Sequence, residues 1–96
     1  MGRAVTFIGA RDNIHCSLPY RAVGSANVKV GGIGISRQGD FNTPHLKPGL
    51  PCPDHVAPIA IGSLKVKVNG RGCGRIGDSI SGCTSVAQGH PKVFAG

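Results

Sequence analysis

Apolar and polar residues alternate, or nearly so, in three short stretches: Ala4-Val5-Thr6-Phe7-Ile8, Asn27-Val28-Lys29-Val30 and Lys65-Val66-Lys67-Val68. A period of two is the mark of a half-buried strand. No run of about ten residues or more carries the helical period. Sixteen glycines and seven prolines also oppose long helices. Gly31-Gly32 and Asn69-Gly70 directly follow two of the stretches, and both dipeptides tolerate the positive φ of a tight hairpin turn. The pattern predicts an all-β chain of short hairpins joined by Gly/Pro loops. The segment from His45 to Ala60, with Pro48, Pro51, Pro53 and Pro58, is expected to be the longest irregular piece.

The alternating stretches belong to a longer repeat. A glycine, a second glycine seven residues on and a metal-capable side chain six further on occur as Gly2, Gly9, His15, as Gly32, Gly39, His45 and as Gly70, Gly77, Cys83. Gly24-Ser25-Ala26-Asn27-Val28-Lys29-Val30-Gly31 precedes the second set, and Gly62-Ser63-Leu64-Lys65-Val66-Lys67-Val68-Asn69 precedes the third. The offset of 38 residues also carries Arg37 onto Arg75 and Gly39-Asp40 onto Gly77-Asp78. A third leading segment, Gly89-His90-Pro91-Lys92-Val93-Phe94-Ala95-Gly96, closes the chain. One repeat is therefore split, its first half at the C-terminus and its second at the N-terminus. The spacing predicts termini side by side, closing a ring of three repeats.

Ninety-six residues suggest one small domain, taken as 1–96, with no Trp, one Tyr and three Phe to build a core. A core this small often needs a staple, and a metal is one choice. The apolar run after Arg3 is too short for a secretory leader, and no stretch is long enough to span a bilayer. The chain is thus expected to be made in the cytoplasm. Four cysteines allow three disulfide pairings, but in a reducing compartment they read as metal ligands or small core residues. Eleven Lys and Arg against four Asp and no Glu give a net charge of +7. That suits a solvated basic surface or an acidic partner. The near absence of stacking aromatics counts against nucleic acid.

If the fold repeats with the sequence, His15, His45 and Cys83 converge on one ion. Zinc takes four Cys or His ligands in a tetrahedron, so a ring of three needs one more. The extra material lies in the middle repeat, where 17 residues separate His45 from Gly62, against nine from His15 to Gly24 and six from Cys83 to Gly89. It holds Cys52-Pro53-Asp54-His55. His55 is the expected fourth ligand, with Cys52 as the alternative and Cys16 and His90 behind it. Four protein ligands close the sphere and make the ion structural, so the site argues against hydrolysis. Zinc is expected, with iron also open to a His/Cys set. Other enzyme signatures are absent: Asp12, His15 and Ser17 are too local for a triad, and no phosphate or dinucleotide loop is present. Gly39-Asp40 and Gly77-Asp78 read as turn chemistry.

Gly62 to Cys83, with Gly-Ser-x-x-Val-x-Val-Asn-Gly, then Arg75, Gly77-Asp78 and Cys83, resembles the PAAR-repeat family, and the likeness runs along almost the whole chain. The Pro-Ala-Ala-Arg tetrapeptide itself is replaced by Gly72-Cys73-Gly74-Arg75 and Gly34-Ile35-Ser36-Arg37, and the first repeat has Gly9-Ala10 in place of Gly-Asp. The chain is similar to the stand-alone spike-tip proteins of contractile-tailed phages, the T-even type especially. Their relatives in type VI secretion often carry added effector domains, for which this chain has no room. The resemblance implies a small cone on a trimeric β-helical membrane-piercing spike, one cap per trimer, that meets the target cell envelope. It implies one zinc near the apex held by His15, His45, His55 and Cys83, no catalysis, synthesis in the host cytoplasm and residence in the virion at the spike tip. The competing expectation is a small basic zinc module that binds nucleic acid.

Overall fold

Asn69 and Gly70 have φ of +53° and +79°, and Gly31 and Gly32 have +56° and +81°, so both dipeptides form the tight turns that their composition predicts. Asn69 is the one non-glycine with positive φ among the described residues. In this computed structural model the described residues are 2–14, 18–43, 45–46 and 54–96, with 45–46 and 54–55 described by their backbone alone. The turns join β2 (Lys29–Val30) to β3 (Ile33–Gly34) and β6 (Lys67–Val68) to β7 (Arg71–Gly72). Val30 pairs with Ile33 and Lys29 with Gly34; Val68 pairs with Arg71 and Lys67 with Gly72. A third pair has the same register but comes from opposite ends of the chain. It joins β1 (Arg3–Ala4) to β8 (Phe94–Ala95), with Arg3 opposite Ala95 and Ala4 opposite Phe94. A fourth pair joins β4 (His45–Leu46) to β5 (Asp54–His55). Every pair is antiparallel, and the described residues contain no helix.

The strands are shorter than the alternation predicts because successive residues pair with different neighbours. Val5 leaves β8 and bridges Arg75, Phe7 bridges Ile35, and Arg37 bridges Cys73. Among the described residues no two-stranded ladder then extends beyond two residues. Between these bridges three peptides close a cycle. The Thr6 N–H donates to the Gly74 carbonyl at 3.0 Å, the Gly74 N–H to Ser36 at 2.9 Å, and the Ser36 N–H to Thr6 at 3.2 Å. Each of the three lies four residues after the first glycine of its set.

The segment 45–60, expected to be irregular, holds the β4–β5 pair and the bridges of Pro58 and Ile59. Phe41 bridges Pro58, whereas His45 lies opposite His55. Four steps on one strand thus match three on the other, an offset of one residue of the kind a β-bulge makes. The prolines at 48, 51 and 53 lie between β4 and β5, outside the described residues.

Apolar burial falls into two clusters. Val30, Val68 and Ala95 pack with Val5, Ile35 and Cys73, and Phe7 covers them. Ala57, Ile59, Ile80 and Val86 form the second cluster, with Cys83 against it. Gly74 stands where the peptide cycle meets the second cluster. A Cβ there would lie 2.5 Å from the Ser36 oxygen, 2.8 Å from Thr6 Cγ2 and 2.9 Å from Ile59 Cδ1. Gly74→Ala should therefore destabilise the fold by about 1–3 kcal/mol, the usual scale of overpacking. A urea midpoint equal to that of the parent chain would show that the cycle is not tightly closed.

Candidate metal centre

Cys83 sits in a tight turn. Its N–H donates to the Ile80 carbonyl at 3.0 Å, and the Ile80 N–H donates to Thr84 at 2.8 Å. Gly82 supplies the positive φ, +61°, that this turn needs. The thiol is half-buried. Burial pushes it above its ordinary value, and a hydrogen bond from the Asn42 side chain pulls the other way.

Asn42 connects the surrounding segments. Its Oδ1 accepts the Ala57 N–H at 2.9 Å, and its Nδ2 reaches Asp12 Oδ2 at 3.2 Å and Cys83 Sγ at 4.0 Å. The backbone repeats the connection: the Asn42 N–H donates to the Ala57 carbonyl at 3.1 Å. Asp12 lies three residues before His15, Asn42 three before His45, and Ala57 two after His55. The segments leading to all four predicted ligands therefore meet at one amide. Three bridges run around the same level, Asp12 to Val86, Arg21 to Asn42 and Ile59 to Ile80.

Beside Asn42 lies a fully buried ion pair. Arg21 Nη2 is 2.8 Å from Asp12 Oδ2, with neither side chain exposed. Arg21 Nη1 also donates to the Asp40 carbonyl at 3.1 Å. Removing one partner of such a pair leaves a buried charge and costs on the order of 3–5 kcal/mol. Asp40 and Asp78 are buried in the same manner. Arg37 grips Asp40 through Nε at 2.8 Å and Arg75 grips Asp78 through Nη2 at 2.8 Å, while Arg71 and Arg3 reach the same carboxylates from outside. Each carboxylate also accepts the backbone N–H of its arginine, both at 2.8 Å, which is the turn role expected of the Gly-Asp pairs. The arginines aligned with one another in the repeat but gave no sign of being the partners of these aspartates.

Of the predicted ligands, the structure describes Cys83 in full and the backbones of His45 and His55, whose Cα atoms are direct partners across β4 and β5. The side chains of those two histidines, and all of His15, Cys16 and Cys52, lie outside the described residues. Among the described residues no three His, Cys, Asp or Glu side chains come together as a metal group. His90 belongs to the hairpin layer. Its N–H donates to Val5, its Nδ1 accepts the Lys92 N–H at 3.1 Å, and its ring lies beside Gly31. Cys73 is a buried core residue, free of any disulfide. Asn42 and Arg21 carry no ligand or catalytic signature in the sequence, and Asp12 entered only as a member of a set too local for a triad; Asp12 and Asn42 do share a place, three residues after the second glycine of a set.

No family model matches the chain, and no curated protein matches its sequence.

Burial raises the Cys73 thiol to about 11 from an ordinary value of 9.0, with the Arg75 charge opposing the shift. The unfolded chain releases this proton first as pH rises. The stability that depends on a protonated Cys73 is thus complete below pH 9 and is lost as pH climbs through about 11. Stability of the parent chain should fall more steeply over that window than stability of Cys73→Ala, measured by urea unfolding. Parallel curves would contradict the assignment.

Proposed function

We propose that the chain is a non-enzymatic tip of the PAAR-repeat type: a cone of three pseudo-threefold β-hairpin repeats that caps a trimeric β-helical spike. The observation that carries this reading is the closed peptide cycle of Thr6, Ser36 and Gly74, flanked by three hairpins of one register, one of them zipped from both ends of the chain. Principal extents of 38, 24 and 23 Å, one long and two nearly equal, suit an object with a threefold axis. A single chain of this kind can meet three identical chains with three equivalent contacts. Val28, Val66 and Val93 occupy matching positions on the hairpin arms and are 36%, 39% and 38% exposed, an apolar triplet of the sort such a contact needs. Capping removes the exposed strand ends of the spike, which would otherwise invite fraying and aggregation. The hairpin edges continue its sheets by strand addition.

At the other end of the repeat, His15, His45, His55 and Cys83 would hold one zinc. Three imidazoles and a thiolate are a suitable donor set. The direct cross-strand pairing of the His45 and His55 backbones supports the choice of His55, since it brings the two chain positions together. The Cys83 sulfur lies 4.0 Å from the side-chain nitrogen of Asn42, three residues before His45 in the chain. The ion would tie these loops together so that the tip resists opening when driven at an envelope.

A second reading draws on charge. The side chains of Asp12, Asp40 and Asp78 are all buried and paired, while those of Lys29, Lys65, Lys67 and Lys92 are exposed. Such a surface also suits a zinc module that binds nucleic acid, whose affinity would fall steeply with salt.

Native mass spectrometry of the chain mixed with its spike trimer should give one copy per three spike chains. Three copies per trimer would defeat the cap, and salt-sensitive capture of duplex DNA without any spike complex would favour the second reading. Cys83→Ala should lower zinc content and melting temperature together, measured by elemental analysis and calorimetry. A variant that stayed fully metallated would remove Cys83 from the site.

A further inference from the structure

The Asn42 side chain touches more of the chain's distant segments than its size suggests. Its orientation is fixed by a backbone donor: the Ala57 N–H, 2.9 Å from Oδ1, requires an acceptor there, so the amide nitrogen must face Asp12 and Cys83. Asp12 Oδ2 takes one Nδ2 proton at 3.2 Å, and the same carboxylate is held at 2.8 Å by Arg21. The other Nδ2 proton is left for the Cys83 sulfur at 4.0 Å, the outer limit for such a contact. Asn42 is 2% exposed, and Asp12 and Arg21 are 1% exposed, so solvent does not compete for these bonds. The matching positions in the other two sets are Asp12, which cannot donate when ionised, and Ile80, which has no polar group. Only the middle set supplies a donor, and it supplies it next to the one predicted ligand that is a thiol.

We propose that Asn42 is the positioning residue of the metal centre. It holds the segments of His15, His45 and His55 in register through Asp12, its own backbone and Ala57, and it donates an N–H to the Cys83 thiolate. The inference rests on the metal reading given above. A thiolate is a stronger acceptor than a thiol, so the bond from Nδ2 shortens in the loaded protein. The donor withdraws electron density from the sulfur and so sets the metal–sulfur bond as well as the geometry. The chain Arg21–Asp12–Asn42 plays the part that an oriented outer partner plays around metal-bound histidine.

The test uses the full chain, its Asn42→Ala and Asn42→Asp variants, and zinc and cobalt(II) as probes. Zinc affinity is read by competition with a chromophoric chelator, and the sulfur-to-cobalt charge-transfer band is read by absorption. Both variants are expected to bind zinc about 10–100-fold more weakly, the scale of losing an outer-shell partner. Both should also move the charge-transfer band to lower energy, with Asn42→Asp the weaker binder because it adds a second carboxylate beside Asp12. Weaker binding with an unmoved band would mean that Asn42 is only a packing residue, and would overturn the proposal. Unchanged affinity and band would overturn it as well. If the variants do not fold, the Asn42 side-chain amide of the parent chain is followed by nitrogen-15 NMR. One Hδ2 resonance should shift downfield as zinc is added, and two static resonances at full zinc loading would overturn the proposal. A parent chain that folds but binds neither zinc nor cobalt would instead overturn the metal reading itself.

Discussion

Backbone polar groups must be paired somewhere, and among the described residues no pair of strands is long enough to do it alone. The Thr6–Ser36–Gly74 cycle is the point at which that requirement is met from three directions at once. Its consequences spread outward. The peptides on either side must turn to different neighbours, which limits every ladder to two residues. The crowding leaves no room for a Cβ at position 74. The third hairpin is assembled from residues 3–4 and 94–95, so forming it also joins the chain ends.

Symmetry in the backbone is combined with deliberate asymmetry in the side chains. Arg37, Asp40 and Arg71 form one charged set around a buried carboxylate, with Arg71 exposed, and Arg75, Asp78 and the exposed Arg3 form its counterpart. The matching positions of the remaining site are Phe7, Ala10 and Ile33. All three charges have been exchanged together for apolar groups, which avoids the buried, unpaired ion that a single exchange would leave. The layer below follows the same logic. Arg21 and Asp12 form an ion pair on one side, while Ile59, Ile80 and Val86 fill the equivalent places.

The parts of this fold legible in the sequence are those set by local chemistry repeated at fixed spacing. Gly31-Gly32 and Asn69-Gly70 announced their turns because few dipeptides accept positive φ twice. The alternation around Val30 and Val68 marked those two as inward but also put Val28 and Val66 on the same face, where they are exposed; the split repeat predicted the β1–β8 pair. Strand length was not legible, since it depends on which neighbour each peptide meets. The β4–β5 pair was hidden by the prolines between its strands, and the one-residue offset leading into it leaves no periodic trace. Arg21 and Asp12 are nine residues apart in a stretch without period, so their pairing follows only from the way the ring closes. The candidate site is legible as a spacing of donors, whereas the amide that gathers their segments becomes apparent only in three dimensions.

The account stands or falls on the convergence of four segments upon one ion. X-ray absorption at the zinc edge of the natively purified chain measures this directly. It should give three nitrogen neighbours at about 2.0–2.1 Å and one sulfur at about 2.3 Å. Two sulfurs would bring Cys52 in and His55 out. A folded chain with no zinc, or zinc with oxygen neighbours alone, would contradict the convergence and leave the ring as packing without a metal.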